Sequence, residues 1–292
     1  RLLLITKKIF LSQKDDLIIA SGNTPLWFLG ILSYFIKRRD LYCIIHGTEM
    51  NHSKGWKKKI SSWSSNKYKK LIAVSSYTKN IIEKISKNKN ILVIPNGYNN
   101  LKIQNISKDK IPGSPSLITV GAVTARKGQH NVIKASPAII KYYPKYQYHM
   151  VGIPKDKNKL LELAKNLNVD THINFHGILS DQDLFTHISG SKIFVMLSEE
   201  QDDGDVEGFG IAIIEANACG IPAIGSKNCG IKDAISDNYS GVLVDPKNPD
   251  DIVDGISSIL NNYEHYSKNA SIWSKKFTWN TIINKYIKSI ED

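Results

Sequence analysis

Short runs of branched apolar residues alternate along this chain with helical stretches, and the runs end in polar or glycine-bearing turns. Leu17–Ala20 runs into Ser21-Gly22-Asn23, Leu41–Ile45 into His46-Gly47-Thr48-Glu49, Leu71–Val74 into Ser75-Ser76, and Ile91–Ile94 into Pro95-Asn96-Gly97. A second series begins at Ser116–Val120 and continues through Tyr146–Val151, His172–Phe175, Ile193–Leu197, Pro222–Gly225 and Gly241–Val244. Alternation of this kind predicts α/β domains with doubly wound parallel sheets. In such sheets ligands bind outside the carboxyl ends of the strands, where the polar turns stand.

Residues 99–115 carry Asn, Lys and Pro without clear periodicity and read as a linker. The expected domains are 1–111 and 112–277, with a helix at 278–292 packing back toward the N-terminal domain. Two helices are expected to close the chain. Thr24 is expected to cap a helix with Pro25 in its first position. Leu2–Ile5 could form a short strand, but no glycine follows before Gly22, so the first domain reads as incomplete at its start.

The longest apolar stretch, Pro25–Ile36, is too short to span a bilayer, which takes ~18 residues or more, and it ends in Lys37-Arg38-Arg39. Cys43, Cys219 and Cys229 are scattered without metal-ligand spacing, which argues for a reducing, cytoplasmic setting and against zinc. Charge is uneven. Residues 1–112 hold 21 Lys and Arg against 6 Asp and Glu, a net of +15, which leaves −3 for the rest of a chain of total charge +12. The basic part suits either an anionic membrane surface (a peripheral position at its inner face), another polyanion, or a merely solvated lysine face. Lysines beside Trp56, Trp63 and Tyr68 lack any nucleic-acid-binding motif, so no nucleic acid is expected.

The chemistry concentrates in Glu207-Gly208-Phe209-Gly210-Ile211-Ala212-Ile213-Ile214-Glu215. A glycine-flanked turn opens a helix, whose free N–H groups attract phosphate. Glu215, one turn further in, can accept hydrogen bonds from a ribose diol. The segment therefore suits a nucleotide sugar, with diphosphate at the turn, ribose on Glu215 and sugar near Glu207. Arg126-Lys127-Gly128, in the loop after Gly121, places two cations where a diphosphate could sit. His46 follows a buried strand and can donate to a sugar hydroxyl. Asp202, Asp203 and Asp205 could hold a divalent cation, but the cationic residues make that the weaker reading, and no metal and no cofactor are expected.

These motifs resemble glycosyltransferase family 4, retaining enzymes of the GT-B fold. The resemblance rests on H-G-T-E at 46–49, A-V-S-S-Y-T at 73–78, I-P-N-G at 94–97, V-G-A-V-T-A-R-K-G at 120–128, F-H-G-I-L at 175–179 and E-G-F-G-I-A-I-I-E-A at 207–216. It implies two Rossmann-like domains facing across a cleft. It further implies that Arg126 and Lys127 hold the donor diphosphate, with Gly121 beside it, while Glu215 binds the ribose and Glu207 the transferred sugar. Phe209, Gly210 and Ile211 would offer backbone N–H groups, His46 would touch the sugar, and Ile178 would meet the base. Ala122 stands where many members carry an arginine. The D-V-E-G-F-G form is similar to members that use GDP-mannose and lipid acceptors. The expected activity is metal-independent hexosyl transfer from a nucleoside-diphosphate sugar to a carbohydrate or lipid-linked hydroxyl, in cell-surface polysaccharide or glycolipid synthesis. The alternatives are a nucleotide-sugar epimerase of similar fold and a non-catalytic nucleotide-sugar- or polyanion-binding protein.

Overall fold

A computed structural model describes residues 2–11, 16–36, 40–52, 55–103, 106–107 and 109–291. The basic residues Lys37, Arg38, Arg39 and Lys54 lie outside the described residues. Packing divides the chain into two units, Arg1–Ile94 with Asp202–Gly208, and Pro95–Gln201 with Phe209–Asp292.

The first unit runs α1 (Leu2–Leu11), β1 (Ile18–Ser21), α2 (Asn23–Leu32), β2 (Leu41–Ile45), α3 (Trp56–Ser65), β3 (Lys70–Ala73), α4 (Ser76–Ile85) and β4 (Ile91–Val93). Its four strands pair in parallel in the order β1-β2-β3-β4. Tyr42, Cys43, Ile45, Leu71, Ile72 and Ala73 are buried, as strands covered on both faces require. Ser75 caps α4 through its side chain, which accepts from Thr78 N.

Two local expectations are corrected here. Leu2–Ile5 belongs to the helix α1 rather than to a strand. The apolar pattern does not stop at Ile5 but resumes at Ile9, one helical turn on, and Ile9 is buried. The helix expected to begin at Pro25 starts at Asn23 instead. Its cap is Gly22, at φ 90°, which makes no side-chain cap bond. It also ends at Leu32, and Ser33–Phe35 form turns in which Phe35 N donates to Leu32 O at 2.8 Å.

The second unit runs β5 (Ser116–Val120), α5 (Gln129–Tyr142), β6 (Gln147–Val151), α6 (Lys157–Asn166), β7 (Ile173–Gly177), α7 (Asp181–Gly190), β8 (Ile193–Met196), α8 (Ile211–Ala218), β9 (Ala223–Ser226), β10 (Gly241–Val244), α9 (Pro249–Asn261), α10 (Tyr263–Ser274) and α11 (Trp279–Glu291). Among the described residues three helices close the chain rather than the expected two. α9 and α10 part at Asn262, whose backbone (φ −129°, ψ 38°) is not helical. The six parallel strands take the order β10-β9-β8-β5-β6-β7. The connection order reverses between β5 and β8, which makes their carboxyl ends the crevice of a doubly wound sheet. Leu117, Ile133, Tyr148, Ile193, Ile224 and Ile256 belong to its buried core.

The sequence reading set a domain boundary at 111/112, whereas the packing changes at Ile94/Pro95. Residues 95–111 are fastened to the second unit. Tyr98 N donates to Phe277 O at 2.9 Å, and Trp279 N donates to Tyr98 O at 3.2 Å. Lys102 pairs with Asp181 at 2.8 Å, and Ile111 N donates to Gly190 O. α11 is held at its start by the same 97–98 segment, and the Trp279 ring lies over Gly97.

Candidate functional site

The switch point of the second unit gathers two of the predicted segments. The loop leaving β5 holds Gly121, then a short 3-10 helix at Ala125–Lys127, then Gly128 at φ 73°. A Cβ at Gly128 would lie 1.8 Å from Leu197 O, so only glycine lets this loop close onto the end of β8. That closure carries Arg126 and Lys127 to the crevice. Arg126 O accepts from Glu199 N at 3.3 Å, and Lys127 Nζ lies 4.0 Å from Met196 Sδ. The Lys127 stem passes over Gly121, where a Cβ would meet its Cε at 3.1 Å. Around the same crevice Asn131 Nδ2 donates to Glu199 Oε1 at 3.0 Å, and Ser198 Oγ and Gln129 Oε1 are buried without a hydrogen-bond partner among the described residues.

α8 opens beyond β8 with Gly210 as its cap, in the left-handed region at φ 97°, without a side-chain cap. Ile213 N donates to Gly210 O at 3.0 Å, and with no cap side chain at Gly210 the amides of Ile211 and Ala212 are not covered by one. The Phe209 ring is only 2% exposed and packs on Phe277 at 5.6 Å, so this residue can offer a ligand no more than its backbone. Ile211 is exposed.

Glu215 is half-buried, not enclosed by its apolar sequence neighbours. Ile213 and Ile214 point into the core, and Glu215 shares the opposite, partly open side of α8 with Ile211 and Ala218. Burial pushes its carboxyl above the usual range, Lys102 opposes that, and Asp181 adds to it. Lys102 and Asp181 therefore stand beside the predicted ribose ligand. Neither was foreseen. Lys102 lies in the aperiodic stretch that read as a linker, and no spacing in the sequence connects it to Glu215.

Ile178 is 75% exposed and follows β7 at the sheet edge, two strands away from β5. Next to it three histidines converge. His149 Nε2 faces Pro112 O at 2.8 Å, and His149 Nδ1 faces His176 Nε2 at 3.0 Å. A carbonyl can only accept, so His149 carries its proton on Nε2 and accepts from His176 at Nδ1. The rings of His176 and His187 meet edge to face at 4.7 Å. Burial, then His149, then His187 hold His176 down to about 4, and burial also lowers His149. A histidine titrating near 6.5 when unfolded binds more protons unfolded than folded over this range. Its stabilising contribution is full above about 6.5 and is lost as pH falls toward about 4. His176→Asn is expected to flatten the acid limb of a melting-temperature profile by a few degrees, at roughly 2–4 °C per kcal/mol. Parallel limbs for the variant and the parent between pH 7 and 4.5 would refute this.

In the first unit His46 lies exposed at the end of β2, where its Nε2 meets Ser21 Oγ at 2.9 Å. Glu49 fixes the turn, because its buried carboxylate accepts from His46 N at 3.0 Å and from Gly47 N at 2.9 Å. The fourth residue of the H-G-T-E motif is thus a backbone clamp, a role the sequence reading did not give it. Residues 202–208 dock on this turn. Thr48 Oγ1 donates to Asp205 Oδ1 at 3.0 Å, and Asn51 Nδ2 donates to Gly204 O at 3.1 Å. A Cβ at Gly208 would come within 1.7 Å of His46 O, so this glycine is required by close approach. Glu207 is half-buried and belongs with His46 in the first unit, whereas the other predicted site residues lie in the second. Among the described residues no three His, Cys, Asp or Glu side chains converge as a metal site.

This geometry places cations, an open helix start and a half-buried carboxylate around the switch point of a parallel sheet. Residues 102–273 match the family model described as glycosyl transferases group 1, and residues 2–100 match that of glycosyltransferase family 4. The chain belongs to the group 1 glycosyl transferases. The GDP-mannose-dependent alpha-(1-6)-phosphatidylinositol monomannoside mannosyltransferase of Mycobacterium tuberculosis is 29% identical over 147 residues. That match covers 50% of this chain and 38% of the relative, so the chain spans well under two thirds of that relative's length. An uncharacterised glycosyltransferase of Methanocaldococcus jannaschii is 26% identical over 99% of this chain and 78% of its own. The crystal structure of Anabaena HepE in complex with UDP and glucose superposes with a TM-score of 0.80 at 19% identity, covering 99% of this chain and 81% of that one. The fold is that of the GT-B glycosyltransferases, with two parallel-sheet α/β units.

Proposed function

We propose that the chain transfers a hexose from a nucleoside-diphosphate sugar to an acceptor hydroxyl with retention of configuration. The observation that carries this reading is the switch point of the second unit, where Arg126 and Lys127 are forced to the crevice by Gly128 and the uncapped start of α8 opens from the neighbouring strand. A diphosphate fits that pairing of fixed cations and free amides. Glu215 takes the ribose diol, Ile178 borders the base, and Glu207 and His46 are the residues assigned to the sugar. The M. tuberculosis relative is named as GDP-mannose-dependent with a phosphatidylinositol mannoside as acceptor, and the HepE complex holds UDP. We favour GDP-mannose as donor and a carbohydrate or lipid-linked acceptor, in glycolipid or cell-surface polysaccharide synthesis at the cytoplasmic side.

In the step itself the acceptor oxygen attacks the anomeric carbon on the face from which the diphosphate departs. The C–O bond to phosphate breaks, its electron pair stays on the leaving oxygen, and that oxygen takes the acceptor proton. Lys127, Arg126 and the α8 amides stabilise the charge that develops there, so no metal ion is required.

The test is a donor panel read by thermal shift, followed by transfer of labelled sugar. A donor at 100 times its Kd adds about 2.7 kcal/mol of stability. Transfer to acceptor that persists in EDTA supports the reading. An epimerised nucleotide sugar without transfer supports the epimerase instead. A donor shift with neither reaction supports the binding protein, and chelation that abolishes transfer removes metal independence.

A further inference from the structure

The first unit carries an outward surface that the transfer reaction does not use. On α2 and the turn after it, Trp27, Ile31, Tyr34 and Phe35 recur at the spacing of one helical face. On α3, Trp56, Ile60, Trp63 and Lys67 recur in the same way. The two helices approach closely, since a Cβ at Gly30 would lie 2.7 Å from Ser64 Cβ. Their aromatic rows therefore meet side by side. Trp27 and Trp56 touch at 5.5 Å at the leading ends, while Tyr34 and Trp63 stack at 6.0 Å at the trailing ends. Lys67 Nζ lies 4.7 Å from the Tyr34 ring centre and 5.4 Å from that of Trp63.

Much of this surface stays in water although it is apolar. Phe35 is 71% exposed, Trp56 64%, Tyr34 56% and Ile31 51%. Lys57, Lys58 and Lys59 follow Trp56 and are exposed. Neither 23–36 nor 55–67 contains a carboxylate. Two nearby lysines contribute nothing. Lys69 is paired with Asp40 at 2.6 Å, and Lys70 is buried with its Nζ 5.5 Å from the Tyr42 ring. No helix among the described residues is long and apolar enough to cross a membrane.

We infer that this face of α2 and α3 docks the first unit onto an anionic lipid bilayer. Trp, Tyr and Phe lodge at the headgroup level, and the lysines face lipid phosphates. Aromatic residues interleaved with the exposed Lys57, Lys58 and Lys59, which have no ion-pair partner among the described residues, distinguish this face from a lysine patch that only solubilises. The surface charge also argues against a second copy of the chain as occupant, because two such faces would repel. The inference does not rest on the transfer reading, since it concerns none of the residues assigned to donor or sugar.

The test is co-sedimentation with vesicles of pure phosphatidylcholine and of phosphatidylcholine with phosphatidylglycerol, at 50 and 500 mM salt. The parent is expected to bind the anionic vesicles, to bind them more weakly at high salt, and to leave the neutral ones in solution. Each cation near the surface is worth about fivefold. K57Q/K58Q/K59Q should therefore weaken binding on the order of a hundredfold. Phe35→Ser with Trp56→Ser should reduce the binding that survives high salt and reduce the blue shift of tryptophan emission on vesicle binding. Circular dichroism and a thermal melt confirm that each variant is folded. The inference is overturned by no sedimentation, by equal sedimentation with both lipids, by folded variants that bind like the parent, or by a dimer in solution that does not bind vesicles.

Discussion

Lys127→Ala is expected to fold normally and to lose more than ~10²-fold in turnover, the range of electrostatic transition-state groups. Ala122 offers no charge to the crevice, which leaves Arg126 and Lys127 to neutralise a departing diphosphate. The loop geometry does not depend on the Lys127 side chain. It is set by Gly128 against Leu197 O and by Lys127 N donating to Thr124 O. The variant should therefore keep its melting temperature and much of its donor affinity, while kcat falls. Lys127→Arg keeps the charge but changes its shape and should recover only part of the rate. A turnover within threefold of the parent would place the diphosphate elsewhere.

Glu215→Ala should cost donor affinity on the order of a hundredfold or more. Two ribose hydroxyls donating to a carboxylate make charge-assisted bonds of roughly 1.5–3 kcal/mol each. The unliganded protein should not lose stability in the same variant. Burial already disfavours the Glu215 charge, and Lys102 retains Asp181 as its partner. Loss of affinity without loss of stability separates a ligand contact from a structural one. Isothermal titration with the donor and a thermal melt on the same sample measure both. Unchanged affinity in a folded variant would remove Glu215 from the donor site.

The sequence made the fold legible because parallel strands are written as apolar runs bounded by polar turns. β2, β5 and β10 fall where the runs fall, residue for residue. It also made the glycines legible as a motif but not their separate reasons. Gly208 yields to the backbone of His46, Gly210 takes a left-handed cap, and Gly128 yields to Leu197. What it hid were relations across long separations without a repeating pattern. Lys102 and Asp181 reach Glu215 only after folding, and Thr48 finds Asp205 across 157 positions. Residues 95–111 read as a linker because aperiodic chain looks the same whether it dangles or is pinned by backbone hydrogen bonds.

The docking of 202–208 on the His46 turn also sets a timetable for synthesis. The ribosome delivers all of β1 to β4 long before the segment that covers their turn. Until residue 208 emerges, the Thr48 hydroxyl lacks Asp205, the Asn51 amide lacks Gly204 O, and the underside of Gly47 lacks Val206 and Gly208. By then β5 to β8 have also been released, so the first unit is completed only after much of the second has been made. A nascent chain arrested near residue 150 should present an open, protease-sensitive 46–51 turn. The same turn should become protected when arrest is moved beyond about residue 250, once 202–208 has cleared the exit tunnel.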